Sequence, residues 1–403
     1  MIEAITAHTR EIDNVNSAVS EILAQIDIGK LRKNSVGILA CHAEFILSGV
    51  VKTLCASLPF ETAGLSSIAS AVPGSCGTDA LSLLVLTSDD VFFSSALSPA
   101  LSAENWKASG EDLYRRALEG LPEGAGKCAL GLAFMPFIPL RVGGDKILAV
   151  LDEASGGVPF FGGLATGYSL TDTPPPFVLF NGEEYTDRLA VVLLSGRVRP
   201  RFARVFIAES KVSVRKGIVT ASEGNLVKTI DGMPAVSYLE KLGLTDGGKL
   251  RWILTIPVII DCGDGADPVS LVIVDQTPEG YICMGGSVPV NSTFSVGSID
   301  RGDVLAGAAD ILKLIAEERA SVFLFFSCTL RARVLKLEQT AEIGRAAELL
   351  DDSVPYLFTY SGGEFCPLHS GDGDRTDNRF HNVTLIACAL TEPQALPSES
   401  SSK

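Results

Sequence analysis

Hydrophobic positions along the chain alternate between two periods. Short continuous apolar runs at 36–41, 128–135 and 322–328 read as buried strands. A helical stretch follows each, at 44–58, 145–151 and 342–350; in the first, Phe45, Leu47, Val50, Val51 and Leu54 recur at helical spacing. Each stretch then meets proline, an aromatic residue and glycine. The three copies are Pro59-Phe60 with Gly64, Pro159-Phe160 with Gly162-Gly163, and Pro355-Tyr356 with Gly362-Gly363. Proline cannot continue a helix interior, so each copy marks a helix end. Further apolar strands follow at 80–86, 189–194 and 383–389. The pattern predicts one β-α-β-β unit used three times.

Other segments surround these units. Residues 9–31 read as an amphipathic helix on Ile12, Val15, Val19, Ile22 and Ile26. It packs on its own domain or, alternatively, in a homodimer. Residues 104–121 contain a helix, and 91–95, 204–207 and 217–221 read as strands. Asn181-Gly182 tolerates positive φ at both positions and predicts a hairpin joining 177–180 to 189–194. Asp231-Gly232 is a second turn, and 235–242 a short helix. The pattern breaks at Asp246-Gly247-Gly248, which divides the chain into 1–245 and 246–390. The second part opens with strands at 250–260, 269–274 and 281–285 and continues with a helix at 303–318. Residues 370–378 read as a polar insertion and 391–403 as a disordered tail. The fold class is α/β, with mixed sheets flanked by helices.

A chain of 403 residues exceeds one ordinary core, which agrees with two parts. The net charge of −15 repels phosphate backbones and anionic membranes, so neither is an expected partner. Nine cysteines, an odd number with no CxxC pair, point to a reducing cytoplasm. The start lacks the basic and apolar regions of a signal peptide, and no apolar run reaches the ~20 residues of a membrane helix.

From about residue 32 to 390 the chain resembles the FIST module, N-terminal part before C-terminal part. Val158-Pro159-Phe160-Phe161-Gly162-Gly163, Asn181-Gly182, residues 188–194, Gly224-Asn225 and Ile230-Asp231-Gly232-Met233-Pro234-Ala235 carry the first part. The second rests on Phe326-Ser327-Cys328 with Arg331 or Arg333 just beyond, Thr359-Tyr360-Ser361-Gly362-Gly363-Glu364, and Phe380-His381-Asn382-Val383-Thr384. The resemblance implies a non-catalytic sensory module for a small ligand, joined in relatives to signalling outputs. With no room for an attached output, this chain is expected to act alone or through a separate signalling partner.

The candidate site gathers at predicted strand ends, where α/β folds present ligand contacts. Arg331 offers a bidentate fork for a carboxylate, Glu364 an acceptor for an ammonium, and Tyr360 a stacking or hydrogen-bonding surface. Cys328, Gly362, Gly363, His381, Asn382, Gly162 and Gly163 complete the set, which suits an amino acid or similar metabolite. The enzymatic alternative is a hydrolase or transferase with Cys328 as nucleophile and His381 as base. Haem is the cofactor candidate, with His8, His42, His369, His381 or a cysteine as axial ligand. A protein-binding scaffold is the third alternative. No spacing in the sequence predicts a metal site.

Overall fold

The computed structural model describes residues 2–136, 142–167, 174–250, 256–315, 320–350, 354–369 and 376–391. The predicted unit organises it, extended at its start by one strand and one helix. In the first unit, Asn34–Cys41 runs parallel to Glu61–Ser66 and antiparallel to Leu81–Ser88. Ile2–Thr9 adds at the edge, and helix Val15–Gln25 follows it. The crossover between the parallel strands is two short helices, Ala43–Leu47 and Val50–Ser57. They are separated at Gly49, whose φ of 84° leaves the helical region.

The second unit repeats this plan. Cys128–Met135 runs parallel to Phe160–Leu164 and antiparallel to Ala190–Gly196, and Val91–Leu97 forms the edge. Its helices are Trp106–Glu119 and Gly144–Ser155. In the third unit Val322–Cys328 pairs with Tyr356–Ser361 and Leu385–Thr391, and Arg199–Val205 forms the edge. The outer helices there are Arg301–Ile315 and Ala341–Leu349.

The units are locked together by a cyclic exchange. After its second parallel strand, each unit sends a strand into another unit's sheet. Ser70–Val72 leaves the first unit and pairs with Tyr356–Ser361 of the third. Val178–Phe180 leaves the second and pairs with Glu61–Ser66 of the first. Glu364–His369 leaves the third and pairs with Phe160–Leu164 of the second. The ring closes, so no unit has its complete sheet alone. All three sheets turn one face to a common core, where Ile38, Leu84, Leu132, Phe161, Val192, Leu324, Phe326 and Ile386 are buried. The helices cover the outer faces. Among the described residues no helix is long and apolar enough to cross a membrane.

One addition breaks the repetition. Between the edge strand and first helix of the third unit, a seven-stranded sheet is inserted, from Val212–Glu223 to Thr293–Gly297. Strands from both sides of residue 245 pair within it: Val212–Glu223 with Thr293–Gly297, and Leu226–Ile230 with Ile282–Met284. Its core is continuous with that of the second unit, joining Leu148 and Leu151 to Val219, Leu271 and Met284. The sheet is thereby seated over the helix side of the second unit.

Several elements differ from the sequence reading. The stretch at 9–31 contains a helix only over Val15–Gln25, and Ile2–Thr9 is a strand. Asn181-Gly182 does turn, with φ of 50° and 84°, but it joins Val178–Phe180 to Glu183–Tyr185. The 189–194 segment belongs to a different sheet, because the exchange strand crosses to the first unit. There the Asn181 Oδ1 accepts a 2.8 Å bond from the Thr62 N–H. Part of the expected polar insertion is strand, Thr376–His381, paired with Glu364–His369. Residues 251–255, within the predicted 250–260 strand, 316–318 of the predicted 303–318 helix, and 392–403 of the predicted tail lie outside the described residues.

Candidate functional site

A cavity of about 800 Å³ opens where the second unit, the third unit and the inserted sheet meet. Met135, Leu164 and Cys328 bring strand carboxyl ends to it. That is the rim where open α/β sheets bind ligands. From the inserted sheet come the 223–226 turn, Val272 to Asp275, and Cys283 to Gly285. Gly143, Gly144 and Lys146, at the start of the Gly144–Ser155 helix, line one flank. The size lies within the range of small-molecule sites. The walls are apolar at Met135, Leu164, Val272, Met284 and Phe380, while Lys146, Arg333, Glu223 and Asp275 bring both signs of charge.

Of the ten residues singled out in the sequence, Cys328, Gly362 and Asn382 line this cavity. Arg331 does not. It is fully buried, and its Nε and Nη2 donate to Glu342 Oε1 at 2.9 and 2.6 Å. Glu342 also accepts from Ser327 Oγ at 2.7 Å. A carboxylate ligand therefore has no access to the Arg331 fork. Arg333, two residues on, is the arginine that lines the cavity. Tyr360 is also internal, donating its hydroxyl to the Gln339 carbonyl at 2.8 Å. Glu364 is fully buried, and its two oxygens accept from Ser361 Oγ and Thr384 Oγ1, each at 2.7 Å. Burial pushes its carboxyl up to about 8. That favours the neutral form at pH 7, in which one of the two oxygens carries the proton and donates to its hydroxyl partner, and burial keeps the group from a ligand ammonium.

No hydrogen bond joins Cys328 to His381. His381 accepts at Nδ1 from Arg204 at 3.3 Å, and its Nε2 has no hydrogen-bond partner. Burial first, then the Arg204 charge, holds the ring neutral, with its pKa far below the usual value. Burial and the neighbouring Glu364 push the Cys328 thiol well above its normal range. A nucleophilic cysteine needs the opposite shift. With fluorescent iodoacetamide at pH 7.5, the half-buried Cys76, Cys262 and Cys283 should be labelled before Cys328. Labelling of Cys328 within the first equivalents, read by peptide mass spectrometry, would contradict this account.

Gly162, Gly163 and Gly363 serve backbone contact and do not line the cavity. A Cβ on Gly162 would lie 2.2 Å from the Ala133 carbonyl oxygen, and one on Gly163 would lie 2.7 Å from that of Gly363. Gly363 itself has φ of 154°, and a Cβ there would strike the Phe380 ring. These positions let the exchanged third-unit strand lie against the second unit. No histidine lines the cavity among the described residues, and the His369 side chain lies outside them. Among the described residues no group of three or more metal-ligating side chains forms.

Sequence reasoning missed Lys146. It falls in a stretch that reads as an ordinary amphipathic helix with a solvated lysine. Only the inserted sheet turns that helix start into a cavity wall. The available signal was Gly143-Gly144, a pair with no capping side chain ahead of an apolar helix.

Comparison with known proteins finds two adjoining family matches. The FIST N domain matches residues 35–233 and the FIST C domain residues 234–367. No curated protein matches the chain significantly. Among solved structures, a cyanuric acid hydrolase from A. caulinodans aligns over 97% of this chain and 99% of its own, at 11% identity and a TM-score of 0.37. A second cyanuric acid hydrolase structure aligns over the same shares at 8% identity and a TM-score of 0.38. At such scores neither likeness bears on what this chain does. The two FIST matches meet end to end over most of the sequence, and the chain belongs to the FIST family, whose domains are sensory modules of signalling proteins.

Proposed function

We propose that this chain is a non-catalytic receptor for a small metabolite of amino-acid type, bound in the cavity between the second unit, the third unit and the inserted sheet. A separate cytoplasmic signalling protein would read the bound state. The observation that carries this reading is the cavity lining: apolar walls with lysine, arginine, glutamate and aspartate together in about 800 Å³. A zwitterion with a short apolar tail presents the matching surface, because each charge finds an opposite charge and the tail leaves water. The buried thiol of Cys328, its raised pKa and the lack of a hydrogen bond to His381 weigh against the cysteine hydrolase.

Differential scanning fluorimetry with amino acids, small carboxylates, nucleotides and haem tests the proposal. A ligand present at 100 times its dissociation constant stabilises the native state by about 2.7 kcal/mol. The same panel should be run on Leu226→Trp, which fills the cavity from the 223–226 turn at a half-exposed position. A shift in the wild type that Leu226→Trp abolishes supports the receptor. A wild-type protein unmoved by the whole panel, or equal shifts in both proteins, would remove the cavity from consideration.

A further inference from the structure

We propose that Lys146, on the cavity wall, forms a carboxylate subsite, and that Asn382 accepts a hydrogen bond from the same ligand. The ligand class is then an amino or hydroxy carboxylate with a short apolar tail. This rests on the receptor reading above and adds the assignment of its polar contacts.

Lys146 is half-buried on the cavity wall, and no ion pair or hydrogen bond engages its side chain among the described residues. The nearest carboxylate on the 223–226 turn, Glu223, is held by Lys228 at 2.9 Å. Asp145, its neighbour in sequence, does not line the cavity; its Oδ2 accepts from the Ser287 N–H at 3.0 Å, and its Oδ1 lies at the helix start, 2.2 Å from where a Cβ on Gly143 would be. The helix dipole therefore already faces an acidic group in its own first turn, and the attraction for a ligand anion comes from the Lys146 ammonium. A half-buried ammonium with no bonded counter-charge attracts an anion.

Asn382 supplies the independent sign of a ligand. It is 3% exposed, it borders the cavity, and its Oδ1 has no hydrogen-bond partner. A buried acceptor left unmatched is costly, and a ligand N–H or O–H would satisfy it. The backbone around it is built for close approach. A Cβ on Gly285 would lie 2.3 Å from the Asn382 Oδ1, and one on Gly143 would lie 3.8 Å from the Gly285 carbonyl oxygen. The helix start, Gly285 and the Asn382 amide thus occupy adjoining walls. An anion subsite and an acceptor subsite in one cavity match a ligand that carries both an acid group and an N–H or O–H. Met135, Leu164, Met284 and Phe380 form the apolar remainder.

Isothermal titration with four probes tests the assignment: L-leucine, L-leucinamide, 4-methylpentanoate and isopentylamine. In the wild type, leucine should bind tightest, and loss of either the carboxylate or the amine should weaken it about tenfold. Lys146→Met should weaken leucine about tenfold while leaving leucinamide unchanged, and Lys146→Arg should restore the preference. Asn382→Ala should weaken leucine and leave 4-methylpentanoate unchanged. Unfolding temperatures close to wild type would show that the lysine variants fold. Leucinamide binding as tightly as leucine, or Lys146→Met affecting both equally, would overturn the subsite and leave the receptor standing. Failure of all four probes to bind would overturn both.

Discussion

Arg331→Ala should cost about 3–5 kcal/mol of unfolding free energy, the penalty for removing one partner of a fully buried ion pair. The pair joins three helices of the third unit. Arg331 lies in Thr329–Val334, Glu342 in Ala341–Leu349, and Arg331 Nη2 also donates to the Val304 carbonyl at 3.3 Å in Arg301–Ile315. Gly307 on that last helix gives the guanidinium its room, since a Cβ there would lie 2.7 Å from Nη2. Without Arg331, Glu342 remains in the interior with its charge unpaired and neutral hydroxyls such as that of Ser327 as its partners. The companion Arg331→Met/Glu342→Leu should recover most of the loss, because apolar replacement removes the stranded charge. Urea unfolding of the three proteins measures the cost. Placing Arg331 at the ligand, as the sequence alone suggests, implies the opposite: weaker ligand binding and an unchanged melting temperature. A single variant within about 0.5 kcal/mol of wild type, the scale of a neutral surface change, would vindicate that reading over the buried-pair account.

The same contrast shows which parts of the fold were legible. Local pattern sufficed for the three β-α-β-β units. Their strands are continuous apolar runs, their helices carry apolar residues at steps of three and four, and proline closes each crossover. The cyclic exchange was not legible. Two of the exchanged strands, Ser70–Val72 and Val178–Phe180, have three residues each, too few for any period to register. Their partners lie far away in sequence, at Phe358 and Thr359 for the first and at 63–65 for the second. Ile2–Thr9 was missed because alanines and threonines dilute its alternation. Asn181-Gly182 identified a turn correctly, yet a turn specifies only local geometry, and tertiary pairing chose Glu183–Tyr185 as its partner.

At the site, residue chemistry was legible and burial was not. Arg331, Tyr360, Glu364 and His381 do gather near strand ends, as their positions implied. They do not line the cavity, and each is bonded inside the protein: Arg331 to Glu342, Tyr360 to Gln339, Glu364 to Ser361 and Thr384, and His381 to Arg204. Helical spacing explains the choice of arginine. Residues 331 and 333 are two apart in a helix, so they face different directions, one to the interior and one to the cavity. Nothing in composition distinguishes them. Lys146 became a cavity residue only through the inserted sheet, whose placement depends on the long-range pairing of Val212–Glu223 with Thr293–Gly297.

Glu364→Gln should make the protein more stable than wild type at pH 9 and of similar stability at pH 5. The buried carboxyl titrates near 8 in the folded chain, against an ordinary 4.5. Stability rises with pH only where the unfolded chain binds more protons. Between these two values the folded chain binds more, so the contribution of Glu364 is fully present below 4.5 and is lost as pH climbs to about 8. Each pH unit across that window costs about 1.4 kcal/mol, and the whole window is worth on the order of 4–5 kcal/mol. Glutamine keeps the shape, stays neutral throughout, and leaves the hydroxyls of Ser361 and Thr384 a partner. His381 acts with the opposite sign, losing its contribution as pH falls below its usual 6.5, but it is common to both proteins and cancels in the difference. Urea unfolding of both proteins at pH 5, 7 and 9 gives that difference directly. The neutral carboxyl also bears on binding. Glu364 lies behind Cys328 and Gly362, and a negative charge there would oppose the field that Lys146 and Arg333 direct into the cavity. Wild-type protein should accordingly bind a carboxylate more weakly above pH 8 than below it, and Glu364→Gln should remove that loss. A stability difference between the two proteins that stays constant from pH 5 to pH 9 would mean Glu364 is ionised in the fold, and both expectations would fall with it.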